Sequence, residues 1–214
     1  MDYQLIRSNR KTLALVVTRE GKLEVRAPKR ISRQEIDRFV ESRRGWALRH
    51  QEQARQRMAE RPVLRYEIGG RLPFLGREYP VLAGEKAGFS AEGFRVREDR
   101  PIEPQLIRLF RELARKELAG RIERYAHRVG VRPSGLRITS ASTRFGSCSG
   151  KNSLSFSYKL IWAAEELVDY VVVHELCHIR QHNHSAAFWQ EVEAVLPDYR
   201  LREQALREFG RVYF

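Results

Sequence analysis

Short apolar runs separated by turn residues predict strands in the first third of the chain. Residues 12–17 and 23–27 are strand-like, and residues 19–22 between them have the composition of a hairpin turn. Ser32 and Glu35 then have the spacing of a capping box, so a helix should begin there. Apolar residues at helical intervals continue that helix to about residue 57.

A second group of short strands is expected between residues 69 and 96. Gly69 and Gly70 precede two strand-like stretches, at 73–76 and 79–82, which suggest another hairpin. A further short strand is expected around residue 95. Pro101 and Pro104 then interrupt the pattern and indicate a domain boundary.

The second half of the chain changes to longer helical and strand patterns. Apolar residues recur at helical spacing from 105 to 129, where Gly130 ends the helix. Residues 153–160 alternate strictly between apolar and polar side chains, which predicts a half-buried strand. A shorter strand at 136–139 and helices at 164–181 and 185–195 complete the pattern. We therefore expect an α+β fold, with a basic, β-rich domain at 1–101 and a second domain at 102–214.

The net charge of the chain is strongly positive and unevenly distributed. The chain has 40 Lys and Arg against 27 Asp and Glu, a formal net charge of +13 at pH 7. Residues 102–160 hold 12 basic and 4 acidic residues, whereas residues 161–214 hold 5 basic and 9 acidic ones. Such a field attracts polyanions such as nucleotides or nucleic acid, although solvated arginine-rich helices explain it without any partner.

Cysteine content and hydropathy favour a soluble, cytoplasmic protein. Cys148 and Cys177, the two cysteines of the sequence, lack the spacing of a thiolate zinc site or a disulfide framework. We interpret both as small buried side chains. The N-terminus lacks the apolar core of a signal peptide, and no apolar run reaches the roughly 18 residues of a membrane span.

Four of the six histidines lie within residues 174–184. His174 and His178 are four positions apart in a segment expected to be helical, so their rings share one face. Both ring nitrogens can therefore reach one metal ion at about 2 Å. Glu175 lies between them in the motif HELCH, where it can accept a proton from a water molecule on that ion. The motif predicts a metal centre with Glu175 as the general base.

A third metal ligand is needed, because catalytic zinc usually takes three protein ligands and a water molecule. In a continuing helix the Cα atom of His182 would lie about 12 Å from that of His174, too far for ligands to converge. Asn183 tolerates the left-handed conformation of a helix end, after which His184 can swing back. His184 is thus the favoured third ligand of one Zn²⁺ ion, and His182, in the last helical turn, is the alternative. Such a site also accepts Mn²⁺ or Ni²⁺.

Several segments together resemble the YgjP-like metal-dependent hydrolases, which are related to the SprT-like zinc metallopeptidases. The segments are RFGSCS at 144–149, KLI at 159–161, HELCH at 174–178 and NHSAAFW at 183–189, with N-terminal elements at 10–13, 25–28 and 75–79. Many peptidases share HExxH, but its combination with RFGSCS and NHSxxFW is specific. The chain departs from the family pattern at Phe145, where Trp is common, and at Ala163 and Ala164, where prolines are common.

The resemblance implies a zincin-like catalytic domain with a short sheet and an HExxH active-site helix, and it supports His184 as third ligand. In zincin-type folds a strand beside the active-site helix commonly pairs with extended peptide. The strand that carries Ser155 and Ser157 is therefore a candidate substrate-binding strand. Arg144 is a candidate for stabilising the oxyanion, with anchoring of its loop as the alternative.

A zinc-dependent peptidase is the leading functional hypothesis, in which Glu175 moves a proton from water to the leaving amine. The first alternative is a metal-dependent nucleotide phosphohydrolase of the nucleoside triphosphate pyrophosphatase type. It is favoured by the basic charge near the site, where Lys151 would contact phosphate, but no P-loop or dinucleotide motif supports it. The second alternative is a SprT-like protease that the basic residues 1–101 deliver to nucleic acid; no nucleic-acid-binding motif is recognisable.

Overall fold

Ten strands and six α-helices are present in residues 1–18, 20–59 and 64–214, the parts of the chain that the computed structural model describes. They belong to two units, Met1–Pro62 and Val63–Phe214, each with its own hydrophobic core. Helices combined with three small sheets confirm the α+β fold class. Within the described residues, no helix is both long and apolar enough to cross a membrane.

The first unit contains a three-stranded sheet with a central strand that has a parallel and an antiparallel neighbour. Its strands are β1 (Gln4–Ser8), β2 (Ala14–Val17) and the central β3 (Leu23–Pro28). On β3, Leu23, Val25 and Ala27 are buried at alternate positions, as expected for a strand with one face on the core. The predicted β2–β3 hairpin is confirmed, although Arg19 of its turn lies outside the described residues; β1 was not predicted.

The helix predicted after Ser32 is two helices, α1 (Arg33–Ser42) and α2 (Arg44–Ala59). The capping box is confirmed, because Ser32 Oγ accepts from the Glu35 N–H and the Glu35 carboxylate accepts from the Ser32 N–H. The break at residue 43 has a local cause. Ser42 Oγ donates to the carbonyl of residue 39 at 2.8 Å, so the side chain competes with the helical hydrogen bonds.

The second unit opens with a four-stranded sheet in the order β4-β5-β7-β6. Its strands are β4 (Arg71–Phe74), β5 (Arg77–Ala83), β6 (Gly88–Ser90) and β7 (Gly93–Val96). The β4–β5 turn has φ of 49° at Leu75 and 77° at Gly76, as a two-residue hairpin with right-handed strand twist requires.

The four-stranded sheet packs on the long helix α3 (Ile102–Val129), which Gly130 ends with a φ of 75°. The rings of Phe94 on β7 and Phe110 on α3 lie 5.0 Å apart, and both are fully buried in one core. The boundary expected between residues 101 and 102 therefore falls inside a compact unit, whose limit lies at residues 62 and 63. Hydrophobic packing across the Pro101 break explains the difference.

A three-stranded sheet precedes the HELCH motif and has the order β8-β10-β9. Its strands are β8 (Gly135–Thr139), β9 (Gly146–Cys148) and β10 (Ser153–Ser157). The central β10 pairs in parallel with β8 and antiparallel with β9, so β9 is an edge strand of the described sheet. The predicted strand at 153–160 ends early, because residues Tyr158–Trp162 form a 3₁₀ helix.

Three further helices complete the second unit: α4 (Glu165–Cys177), α5 (Ala186–Val195) and α6 (Tyr199–Tyr213). The sequence predicted α5 with its N-cap Ser185, and this is confirmed. It did not predict α6, although Tyr199, Leu206 and Tyr213 recur at helical spacing. Helix α4 ends four residues before the predicted residue 181.

A buried arginine joins α3 to α4. Arg121 is 6% exposed and donates to Asp169 at 3.0 Å and to Glu165 at 2.9 Å, both on α4. Its Nη1 also donates to the Glu117 carboxylate on its own helix. The Tyr125 hydroxyl donates to Asp169 at 2.7 Å. This network fixes the start of the helix that carries HELCH.

We expect Arg121→Met to lower the free energy of unfolding by about 2–3 kcal/mol, because the Asp169 and Glu117 side chains, 17% and 26% exposed, lose their charged hydrogen-bond partner. Urea unfolding of the two proteins measures this difference. The matched control is Arg108→Met on the same helix. Arg108 pairs with Glu112, but the two side chains are 82% and 58% exposed, so a change within about 1 kcal/mol is expected. Equal losses in both variants would contradict a special role for the buried network.

Candidate metal centre

Helix α4 brings the two histidines of HELCH together. Val172 and Val173 are fully buried, so the end of the helix is anchored in the core directly before His174. One turn separates His174 from His178, and their Nε2 atoms lie 3.2 Å apart. The helix therefore presents two imidazole nitrogens at one point.

The chain turns back after α4 and returns the third histidine to the same point. The Cys177 carbonyl accepts hydrogen bonds from the N–H groups of residues 180 and 181, which closes a turn at the helix end. His184 Nε2 then lies 3.1 Å from His174 Nε2. Ser185 starts α5, since its Oγ accepts from the Phe188 N–H at 3.4 Å. The three ring nitrogens form a cluster in which all ligand atoms lie within 4.8 Å of one another.

The structure corrects the expected positions of His182 and Asn183. His182 lies in the loop after α4 and not in its last turn. Asn183 has no positive φ; its Oδ1 accepts from the Ser185 N–H at 3.3 Å, directly before α5. A hydrogen bond between His178 Nδ1 and the Gln181 carbonyl, 2.9 Å long, stabilises the turn that takes the place of the last predicted turn of the helix.

The donor set fits a divalent metal ion. Nitrogens at 2.0–2.1 Å from a tetrahedral zinc ion lie about 3.3 Å apart, close to the observed 3.1 and 3.2 Å. Burial, followed by the neighbouring His178 and His184, lowers the pKa of His174 to about 3, and burial also lowers the pKa of His178. Near pH 7 both rings are neutral, as metal ligands must be.

A hydrogen bond determines which ring nitrogen of His178 faces the histidine cluster. A neutral His178 donates its Nδ1–H to the Gln181 carbonyl, which leaves a lone pair on Nε2. That lone pair points at His174 Nε2, and imidazole lone pairs that face one another repel unless a cation or proton lies between them. A cation bound by all three histidines satisfies this arrangement.

Aromatic side chains of α5 fix the planes of the histidine rings. Phe188 stacks on His178 with ring centroids 4.5 Å apart. Trp189 stacks on His184 at 5.7 Å and on Tyr199 of α6 at 5.3 Å. The rings therefore have little freedom to leave the cluster, and this preorganises the site.

Glu175 belongs to α4, packs its side chain against Gly146 of the edge strand β9 and is 7% exposed. A Cβ atom on Gly146 would come within 2.9 Å of Glu175 Cγ, so only glycine allows this approach. Burial raises the pKa of Glu175 to about 7, while a hydrogen bond from the Cys148 backbone and the charge of Arg144 act in the opposite direction. A carboxyl group with a pKa near 7 suits proton transfer at neutral pH.

A cavity of about 290 Å³ opens beside Glu175. Three segments line it: residues 144–146 before and at the start of β9, residues 170, 171, 174 and 175 of α4, and residues 203, 206 and 207 of α6. Sequence reasoning identified Arg144, His174 and Glu175 among these. It missed Tyr170 and the whole contribution of α6, for which the helical spacing of apolar residues after Pro197 was the available signal.

The structure does not bring the proposed substrate residues of β10 to the cavity. Both edges of β10 are paired, so it cannot accept an extended peptide by strand addition, and the expectation for β10 is wrong. Ser157 is 1% exposed and its Oγ donates to the Ala141 carbonyl at 2.7 Å, which is a structural role. Ser155 faces Ser147 across the sheet, and Lys151 is exposed in the turn between β9 and β10.

The two cysteines lie outside the histidine cluster. Cys177 is fully buried, and burial raises the pKa of its thiol to about 12. Cys148 is half-buried, and its pKa is raised by burial and by the charge of Glu175. Protonated thiols are poor metal ligands. The expectation of a buried side chain is confirmed for Cys177, whereas Cys148 is only partly buried.

Gly210 of α6 accommodates the ring of Phe145, and this contact yields a test of the packing at the cavity wall. A Cβ atom at Gly210 would lie 2.9 Å from Phe145 Cζ, whereas one at Gly120 of α3 meets no atom within 4 Å. We expect Gly120→Ala to raise the free energy of unfolding by about 0.5–1 kcal/mol and Gly210→Ala to lower it. Thermal or urea unfolding measures both, and a gain in both variants would contradict the close fit.

Three converging histidines with a buried glutamate beside them are the arrangement of a metal-dependent hydrolase. The family model described as YgjP-like, metallopeptidase domain, matches residues 11–209, so the chain belongs to the YgjP-like metallopeptidase family and the resemblance is confirmed. Among solved structures, the metallopeptidase zymogen of Pyrococcus abyssi abylysin is similar with a TM-score of 0.39 and 24% identity, over 42% of this chain and 90% of that chain. No curated protein matches the chain.

Proposed function

We propose that the protein is a zinc-dependent peptidase in which His174, His178 and His184 hold one ion and Glu175 is the general base. The observation that supports this most is the convergence of three Nε2 atoms beside a buried glutamate, in a chain of a metallopeptidase family. When bound, the ion supplies a Lewis acid that polarises a peptide carbonyl and lowers the pKa of a water molecule.

Glu175 is the group that moves the proton. Its carboxylate accepts a proton from the attacking water and passes it to the amine that leaves when the peptide bond breaks. The Cys148 N–H and Arg144 stabilise the ionised carboxylate, whereas burial favours its protonated form. These opposing effects keep both protonation states accessible near neutral pH, as the two-step transfer needs.

The edge of β9 is the proposed binding strand for an extended peptide. One side of β9 pairs with β10, and its Gly146 lies directly against Glu175. A peptide that adds to the other side would have its backbone fixed by hydrogen bonds next to the general base. Arg144 precedes this strand and lines the cavity, where its exposed side chain can contact the developing oxyanion.

A substrate panel with the zinc-loaded protein tests the function. We expect cleavage of an unstructured protein that is lost on treatment with a chelator and restored by zinc. The panel includes nucleoside triphosphates, because residues 102–160 carry 12 basic against 4 acidic residues, and a DNA-bound protein, because the N-terminal half is also basic. Zinc-dependent nucleotide turnover without proteolysis would refute the peptidase and favour the phosphohydrolase.

A further inference from the structure

We propose that the cavity beside Glu175 is a specificity pocket for one large apolar or aromatic side chain of a peptide substrate, next to the bond that is cleaved. This inference rests on the proposed peptidase function and adds the class of residue that the enzyme selects. Four properties of the cavity support it: its size, its walls, its charge balance and its place beside the general base.

The cavity has the size of a large side chain. Its volume is about 290 Å³, roughly twice the 150 Å³ of a protein cavity that binds benzene. It therefore admits a phenyl or indole ring, whereas an alanine methyl group would leave most of the space to water. Small side chains would gain little binding energy there.

Apolar groups form much of the wall. Val171 on α4 and Leu206 on α6 are 4% and 8% exposed, and the Phe145 ring packs against the same core. Tyr170 is 3% exposed, and burial raises the pKa of its phenol, so it stays neutral. A side chain that enters this space exchanges water for hydrocarbon contacts.

The charged groups at the cavity balance one another. Arg207 donates to Glu203 at 2.7 Å within α6, and the charge of Arg144 acts on Glu175. Two arginines and two glutamates thus line the cavity, so its walls carry no net formal charge that would select an acidic or a basic substrate side chain. Transfer of a charged side chain into this wall is therefore unfavourable, which excludes charged residues as the preferred occupant.

The position of the cavity defines which substrate residue enters it. His174 and Glu175 line the cavity and also belong to the proposed catalytic centre. A side chain in the cavity must therefore belong to a residue that flanks the scissile bond. Leu206, on the helix opposite Glu175, is an apolar wall residue that can be changed without altering a proposed metal ligand or the general base.

Two peptides that differ only in Phe or Ala at the residues flanking the scissile bond test the pocket. With zinc-loaded wild-type protein, we expect kcat/KM to be at least about tenfold higher for the Phe peptide. Leu206→Trp fills the cavity and should bring the ratio of the two values close to one, with zinc content unchanged. The matched control is Leu201→Trp on the same helix, where the side chain is 71% exposed, and this variant should keep the wild-type ratio.

Peptide affinity, measured without cleavage, tests the pocket independently of the proposed peptidase function. If neither the two peptides nor the unstructured protein is cleaved, the peptidase function is refuted, and the two peptides are titrated onto zinc-loaded Glu175→Gln protein by calorimetry. At least about tenfold tighter binding of the Phe peptide, lost in Glu175→Gln/Leu206→Trp, supports the pocket. Equal affinities, or equal kcat/KM values where cleavage occurs, overturn it. Leu206→Phe provides a smaller change if Leu206→Trp does not fold.

Discussion

Replacement of Glu175 by Gln is expected to lower kcat for peptide hydrolysis by about 10²–10⁴-fold, the usual contribution of a general acid–base residue. Gln has nearly the same size and can occupy the same space between α4 and β9, but it cannot accept a proton. Glu175 is not part of the histidine cluster, so zinc should stay at one ion per chain. Steady-state kinetics together with metal analysis of the purified variant measure both quantities.

Glu166→Gln is the matched control for this variant. Glu166 lies on the same helix, is exposed and is remote in sequence from the HELCH motif, so its replacement removes the same charge without removing the base. We expect its kcat to stay within about twofold of wild type, as for most surface substitutions. A Glu175→Gln protein that kept more than a tenth of the wild-type kcat would show that another group moves the proton.

Elements that depend on a few adjacent residues were predicted correctly from the sequence. The Ser32 capping box, the β2–β3 hairpin and the end of α3 at Gly130 each depend on a few adjacent residues, and each is confirmed. The order of strands was not predictable in the same way. Alternation shows that β10 has one buried face, but it does not show that β8 and β9 occupy both of its edges.

In the candidate site, too, the contributions from adjacent residues could be predicted and those from distant residues could not. HELCH placed His174 and Glu175 on one helix from spacing alone. The cavity wall, however, includes residues 203, 206 and 207 of α6, which reach Glu175 only because both helices share one core. The pattern of apolar residues around HELCH does not show which distant helix will pack against it, and so the pocket could not be predicted from the sequence.

Rigidity of the site follows from packing outside it. Arg121 binds Asp169 and Glu165 on the first turns of α4, while the last turn carries His174 and Glu175. Phe188 stacks on His178 from the other side. Ligands that are held in place before an ion binds lose little conformational entropy, which strengthens binding.

His184→Ala is expected to weaken zinc binding by at least about a hundredfold. Loss of a residue that merely supports a ligand already costs about 10–100-fold in metal affinity, so loss of a direct nitrogen ligand should cost more. His182→Ala is the control, because His182 lies two residues away in the same loop and outside the cluster. Competition with a zinc chelator measures both affinities, and we expect that of His182→Ala to stay within about threefold of wild type.

Thermal stability provides an independent measure of the same difference. A ligand at 100 times its Kd stabilises the native state by about 2.7 kcal/mol, and at a concentration equal to its Kd by about 0.4 kcal/mol. We therefore compare the variants at a zinc concentration of about 100 times the wild-type Kd. There His184→Ala should lose most of the zinc-induced rise in Tm, and His182→Ala should keep it. The reverse pattern would assign the third ligand to His182 and require the loop after α4 to rearrange when zinc binds.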